Sequence, residues 1–152
     1  MAGLPYSTGA IGTGPANTVQ LTDSVLTATI ADAGAGNTVY TNSIDLGAAP
    51  YPTTQGFLAQ VVIGTATGMN NTKNINAWIQ HSSDNGNWTN IPELSTSLVV
   101  QACDANGNIL TAKSDTVTLP PSTKEYIRVG SLTEANGGTP VGNVTLTLLF
   151  FT

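Results

Sequence analysis

Two residues of this chain are the natural candidates for nucleophilic chemistry, the single cysteine Cys103 and the single histidine His81. A thiolate needs a neighbouring base, and a catalytic imidazole needs a third group to orient it. Cys103 closes an apolar run, Leu98-Val99-Val100-Gln101-Ala102-Cys103, which reads as a small core residue. His81 follows Gln80 at the end of a strand pattern, where a hydrogen-bonding role fits better than catalysis. There is no G-x-S-x-G elbow. Paired carboxylates would need two acids held across a cleft. The nine acids are scattered instead, and Asp23, Asp32, Asp84 and Asp104 stand in turn-like segments. The expectation is therefore a protein that is not an enzyme and carries no cofactor.

Metal chemistry is nearly as constrained. One Cys and one His within a chain allow neither a disulfide nor a Cys/His zinc site. The segments Asp84-Asn85-Gly86-Asn87 and Asp104-Ala105-Asn106-Gly107-Asn108 carry hard oxygen ligands suited to calcium. They lack a bidentate Glu at the required offset, and Asn-Gly hairpin turns account for both without a metal. Gly64-Thr65-Ala66-Thr67-Gly68 lacks the lysine of a phosphate loop. The remaining candidates are Trp78 and Trp88, ten residues apart around a turn. Their spacing lets them meet across a hairpin as packing partners, or present a ring that stacks on a sugar.

Composition narrows the partners. Of 152 residues only 9% are charged, with four Lys+Arg against nine Asp+Glu and a net charge of −5. So few cations exclude phosphate-driven binding of nucleic acid or of an anionic membrane. No apolar run reaches the roughly 20 residues of a membrane span. The first 17 residues carry no basic side chain and do not read as a secretion signal, so the expectation is a soluble protein made in the cytoplasm.

The elements that position these residues read as strands. Segment 1–17 (MAGLPYSTGAIGTGPAN) is aperiodic and Gly/Pro-rich, an extended N-terminal arm whose apolar points are Leu4, Tyr6 and Ile11. Residues 18–152 then read as one antiparallel β domain. Short strands are expected at 18–22 and 25–31. In Thr38–Leu46, alternation groups Tyr40, Ile44 and Leu46 on one face. Residues 48–56 form a loop around Pro50-Tyr51-Pro52. Phe57–Ile63 is apolar on both faces, Ile75, Ala77 and Ile79 alternate with polar neighbours, and Tyr126 and Arg128 oppose Ile127 and Val129. The apolar C-terminal strand, with Val144, Leu146, Leu148 and Phe150 inward, should be central, because at an edge it would invite aggregation. The fold class is all-β, with about nine or ten short strands in an antiparallel sandwich or barrel.

Two of these segments together resemble a known family. Asn42-Ser43-Ile44-Asp45-Leu46-Gly47 is followed about thirty residues later by Gln80-His81-Ser82-Ser83-Asp84-Asn85-Gly86-Asn87-Trp88-Thr89. The pair resembles the strand ending in IDLG and the later Ser/Asp/Gly/Trp hairpin of the small capsid cement (decoration) proteins of tailed bacteriophages. Here Asn85 separates Asp84 from Gly86. The Trp-bearing hairpin is also similar to that of sugar-binding sandwiches of the discoidin kind, the alternative reading that gives Trp78 and Trp88 to carbohydrate.

The cement resemblance implies that residues 18–152 form a single antiparallel, jelly-roll-like β-sandwich domain, and that the chain is a virion protein on the capsid exterior. It would self-associate as a homotrimer and bridge subunits of the major capsid protein. The contact elements expected are Leu4, Tyr6 and Ile11 of the arm and Pro50, Tyr51 and Pro52. Ordering about ten arm residues costs roughly 10–20 kcal/mol, and burying three apolar side chains returns roughly 1.5–3 kcal/mol each. An arm that holds a neighbour must therefore add backbone pairing, or act from an oligomer that grips several subunits at once.

Overall fold

The computed structural model describes residues 27–31, 36–46 and 57–150. The expected arm with Leu4, Tyr6 and Ile11, the strand 18–22 and the Pro50-Tyr51-Pro52 loop lie outside the described residues. Ten strands succeed one another: β1 (Thr27–Ala31), β2 (Thr38–Tyr40), β3 (Ile44–Asp45), β4 (Phe57–Met69), β5 (Asn74–Ser82), β6 (Thr89–Asn90), β7 (Val99–Ala102), β8 (Lys113–Thr118), β9 (Tyr126–Thr133) and β10 (Gly138–Phe150). They form two antiparallel sheets. Sheet A has the order β1-β10-β4-β8, and sheet B has the order β2-β9-β5-β6, with β3 on β9 and β7 on β5.

Counting β2 with β3, and β6 with β7, as two interrupted strands gives a nested pairing: β1 beside β10, β2/β3 beside β9, β4 beside β8, β5 beside β6/β7. That nesting, folded into two facing sheets, is the jelly roll. The expected antiparallel, jelly-roll-like sandwich is what the chain forms.

The core follows from period-2 alternation. Ala59, Val61 and Ile63 of β4 and Val144, Leu146 and Leu148 of β10 line sheet A, while Ile75, Ala77 and Ile79 of β5 and Ile127 and Val129 of β9 line sheet B; all are buried in one cluster. The C-terminal strand β10 is central, between β1 and β4, and pairs with β4 along nearly its whole length.

One local expectation changes. Thr38–Leu46 is two strands, not one: Tyr40 is 40% exposed whereas Ile44 and Leu46 are buried. Thr41 is tucked in at the break, where its hydroxyl accepts the Val129 N–H (3.0 Å) and its own N–H reaches the Val129 carbonyl. One extra residue between the Tyr40–Gly130 and Ile44–Ile127 pairs reverses the alternation, so Tyr40 faces outward. Ile109 makes an isolated bridge with Ala66. The outer side of β4 is half-buried at Leu58 and Val62, with no third layer over it among the described residues.

Candidate functional site

Alternation on β5 and β9 turns Asn74, Asn76, Trp78 and Gln80, with Tyr126, Arg128, Gly130 and Leu132, to the outer face of sheet B. The register makes rows of them. Val100, Asn76 and Leu132 stand side by side across β7, β5 and β9. Trp78, Gly130 and Tyr40 form the next row, across β5, β9 and β2. Asn90, Gln80 and Arg128 form the third.

At one end the arrangement is cationic and aromatic. The Arg128 guanidinium lies 3.7 Å from the centre of the Tyr40 ring and 4.2 Å from that of Trp88. Its Nε and Nη2 donate to Gln80 Oε1 at 3.1 and 2.8 Å, and Gln80 Nε2 donates to Asn90 Oδ1 at 3.1 Å. Both expected tryptophans thus face the same side, but Trp88 stacks on Arg128 and Trp78 covers Gly130. Sequence reading did not group Tyr40, Gln80, Asn90 and Arg128. The outward register of Arg128 was readable; which strands flank β9 was not.

At the other end the same face opens into a cleft of about 300 Å³ lined by Asn74, Asn76, Ser97, Val100, Leu132 and Glu134. Asn76 Nδ2 donates to the Thr96 carbonyl and Ser97 Oγ, both at 3.2 Å. Its Oδ1 is buried and accepts from no group among the described residues. Glu134 accepts from Lys73 Nζ at 3.0 Å and from the Asn74 N–H and side-chain amide at 3.2 Å. The Lys73 bond leads the effects that hold its carboxyl below the usual carboxylate range.

The catalytic candidates do not converge. His81 is buried on the inner side at one end of β5, and its Nδ1 accepts the Lys124 N–H at 3.3 Å. Cys103 is buried beyond the other end, where its Sγ donates to the Asn70 carbonyl at 2.9 Å and its N–H pairs with the Lys73 carbonyl. Eight residues of extended strand separate the two, on the order of 25 Å. The calcium-like loops are closed on themselves. Asp84 takes the N–H groups of Gly86 (2.9 Å) and Asn87 (2.7 Å), the Asn87 amide (2.6 Å) and the Ser82 hydroxyl (2.8 Å). Those donors hold its carboxyl far below the ordinary range. Asp104 accepts the N–H groups of Asn106 and Asn108 in the same manner. A carboxylate surrounded by N–H donors serves the turn, not a cation. No cluster of three His, Cys, Asp or Glu suited to a metal occurs among the described residues.

The two motif segments meet on one strand. Asp45 of β3 and Ser82 of β5 stand on either side of Tyr126 of β9. The Leu46 N–H bonds the Glu125 carbonyl at 2.8 Å. The charges of Glu125, first, and Asp45 push the Tyr126 hydroxyl above its usual pKa.

The fold and this outer face define an all-β jelly-roll sandwich with an amide- and aromatic-lined sheet. No protein-family model matches the chain, and no curated protein does. Among solved structures, the chain is similar to a xylan-binding module, CBM15, at 14% identity, covering 87% of this chain and 97% of that one with a TM-score of 0.38.

Proposed function

We propose that this protein is a structural virion component, a cement protein that binds the outer surface of a tailed-phage capsid as a homotrimer and bridges subunits of the major capsid protein. The observation that carries the reading is the meeting of the two cement-like segments. Asp45 of the first segment and Ser82 of the second are remote in sequence, yet they flank the same residue, Tyr126. Each does structural work there: Ile44 and Leu46 are buried, and Asp84 closes the turn. A motif built for shape suits a protein whose role is to be a rigid block.

Two further features support it. Only 9% of residues are charged, so packing against a shell desolvates few ions. Strand β8 (Lys113–Thr118) ends its sheet and pairs only with β4 among the described residues. Among the described residues its outer edge pairs with no other strand, and an extended segment of a neighbour could add there by the β-augmentation that the energetics of the arm require.

The test is addition of purified protein to shells of the phage's own major capsid protein that lack it. Binding in stoichiometric amounts, visible by imaging, with a raised shell melting temperature, is the expected result. Deleting residues 1–15 should leave a folded protein that attaches more weakly. Shells that neither take up the protein nor gain stability would overturn the reading.

A further inference from the structure

The chain contains three Asn-Gly pairs, Asn85-Gly86, Asn106-Gly107 and Asn136-Gly137. At such a pair the glycine nitrogen, once it has lost its proton, can attack the asparagine Cγ, because glycine has no side chain to shield it. The C–N bond of the side-chain amide breaks and ammonia leaves, closing a five-membered succinimide. Water then opens the ring to aspartate or isoaspartate. The reaction needs an exposed asparagine and a glycine N–H that can be freed. All three asparagines are exposed, so the glycines decide which pair reacts.

Two of the glycines are locked by a second stretch of backbone. Gly107 is buried; its N–H donates to the Asp104 carbonyl at 3.1 Å and its carbonyl accepts the Met69 N–H at 3.0 Å. Gly137 is buried too; its N–H donates to the Glu134 carbonyl at 2.8 Å and its carbonyl accepts the Asn70 N–H at 2.9 Å. Gly86 differs from both. It is exposed, and its N–H is held by one side chain, Asp84 Oδ1, at 2.9 Å. No backbone bond to a distant segment holds it among the described residues.

We propose that Asn85 is a site of spontaneous deamidation in the folded protein and that Asp84 is the restraint that slows it. The Asp84 carboxyl is held so far below the ordinary range that it is ionised at every pH where the reaction runs. It must release Gly86 before that nitrogen can act, and a nitrogen anion beside a carboxylate is disfavoured by like charge. Asn106 and Asn136 stay intact while the fold holds. The product adds a negative charge next to Asp84. As isoaspartate it also adds one backbone carbon to the turn that carries Trp88 onto Arg128. Modification there loosens the aromatic end of the outer face of sheet B.

This modification does not depend on the cement reading, and its test uses the isolated full chain. The protein is held in mildly alkaline buffer, with and without denaturant, and each amide-to-acid conversion is located by peptide mapping and mass spectrometry. In the folded protein Asn85 should convert first, with Asn106 and Asn136 about tenfold slower or more. In denaturant the three rates should converge. Asp84→Asn keeps an acceptor but removes the charge, and should speed conversion at Asn85 about tenfold or more. Gly86→Ala should slow it, since a Cβ there meets nothing closer than 3.6 Å and shields the nitrogen while the turn is kept. That variant tests the route even where Asp84→Asn opens the turn. The proposal fails if Asn106 or Asn136 converts before Asn85 in the folded chain, or if the same order persists in denaturant. It fails equally if Asp84→Asn leaves the Asn85 rate unchanged or Gly86→Ala does not slow it.

Discussion

The indole of Trp78 occupies the space that a side chain at Gly130 would need. The two stand directly opposite on β5 and β9. A Cβ built on Gly130 would lie 2.7 Å from Trp78 Cζ2 and 2.8 Å from Cε2. Tyr40 sits opposite the same glycine on its other side. The outer face of sheet B is therefore a row of two large rings with a glycine between them, and the glycine is there for room.

Gly130→Ala should consequently destabilise the protein by about 1–3 kcal/mol through overpacking. Urea unfolding followed by tryptophan fluorescence measures it. In a Trp78→Ala background the same change should cost close to nothing, because the clash is gone. Equal costs in both backgrounds would show that the backbone at Gly130, not the ring, sets the requirement.

Arg128 ties this row to the Ser83–Asn87 turn. Its guanidinium stacks on Tyr40 and Trp88 while two of its N–H groups share Gln80 Oε1. A lysine keeps the charge but loses the flat cation and the paired donors. Arg128→Lys should cost about 1 kcal/mol, given about 0.5–1 kcal/mol for a partly exposed cation–π contact. Near-ultraviolet circular dichroism should weaken with it, as Trp88 loses its fixed neighbour. An unchanged spectrum and an unchanged unfolding midpoint would contradict the stack.

Strand identity was readable wherever burial on one face enforces a period of two. Ile75, Ala77, Ile79, Ile127 and Val129 face the core as their spacing predicts, and the apolar C-terminal strand is central. The turns were readable as places but not in their geometry. Asn85 has φ +56° and Gly86 is outside the positive region, so the turn before Trp88 is not the two-residue Asn-Gly type. The Asp84 carboxylate, by gathering its donors, decides the shape instead. Tyr40 was placed on the wrong face because a break at Thr41, stabilised by Val129 from a distant strand, leaves no mark in the local pattern. The cleft was invisible for the same reason: Asn76, Val100 and Leu132 meet only through register.

His81 makes stability depend on pH. Burial, then the Lys124 charge, lower its pKa below 6.5, and Glu93 opposes them weakly. The unfolded chain therefore binds the proton more tightly than the folded one. Stability is complete above about pH 6.5 and falls as the pH drops through that value towards the lower folded pKa. The protonated ring also loses the Nδ1 lone pair that accepts the Lys124 N–H. His81→Gln keeps an acceptor and cannot titrate, so its melting temperature should fall less between about pH 7.5 and about pH 5 than that of the natural protein. A parallel decline in both would assign the acid sensitivity elsewhere.

Cys103 should be chemically silent in the folded state. The residue is 7% exposed and its thiol donates to the Asn70 carbonyl, so a reagent must wait for the Met69–Lys73 and Cys103 backbones to separate. An opening that costs about 2.7 kcal/mol already slows reaction about a hundredfold. Labelling by an aromatic disulfide should therefore be at least about a hundredfold slower in buffer than in denaturant, and the native protein should form no disulfide-linked dimer under oxidant. Fast native labelling would place the 70–73 turn among the mobile parts of the fold. A covalent dimer would mean that copies of the chain can meet through this end of sheet B, where the cleft also lies.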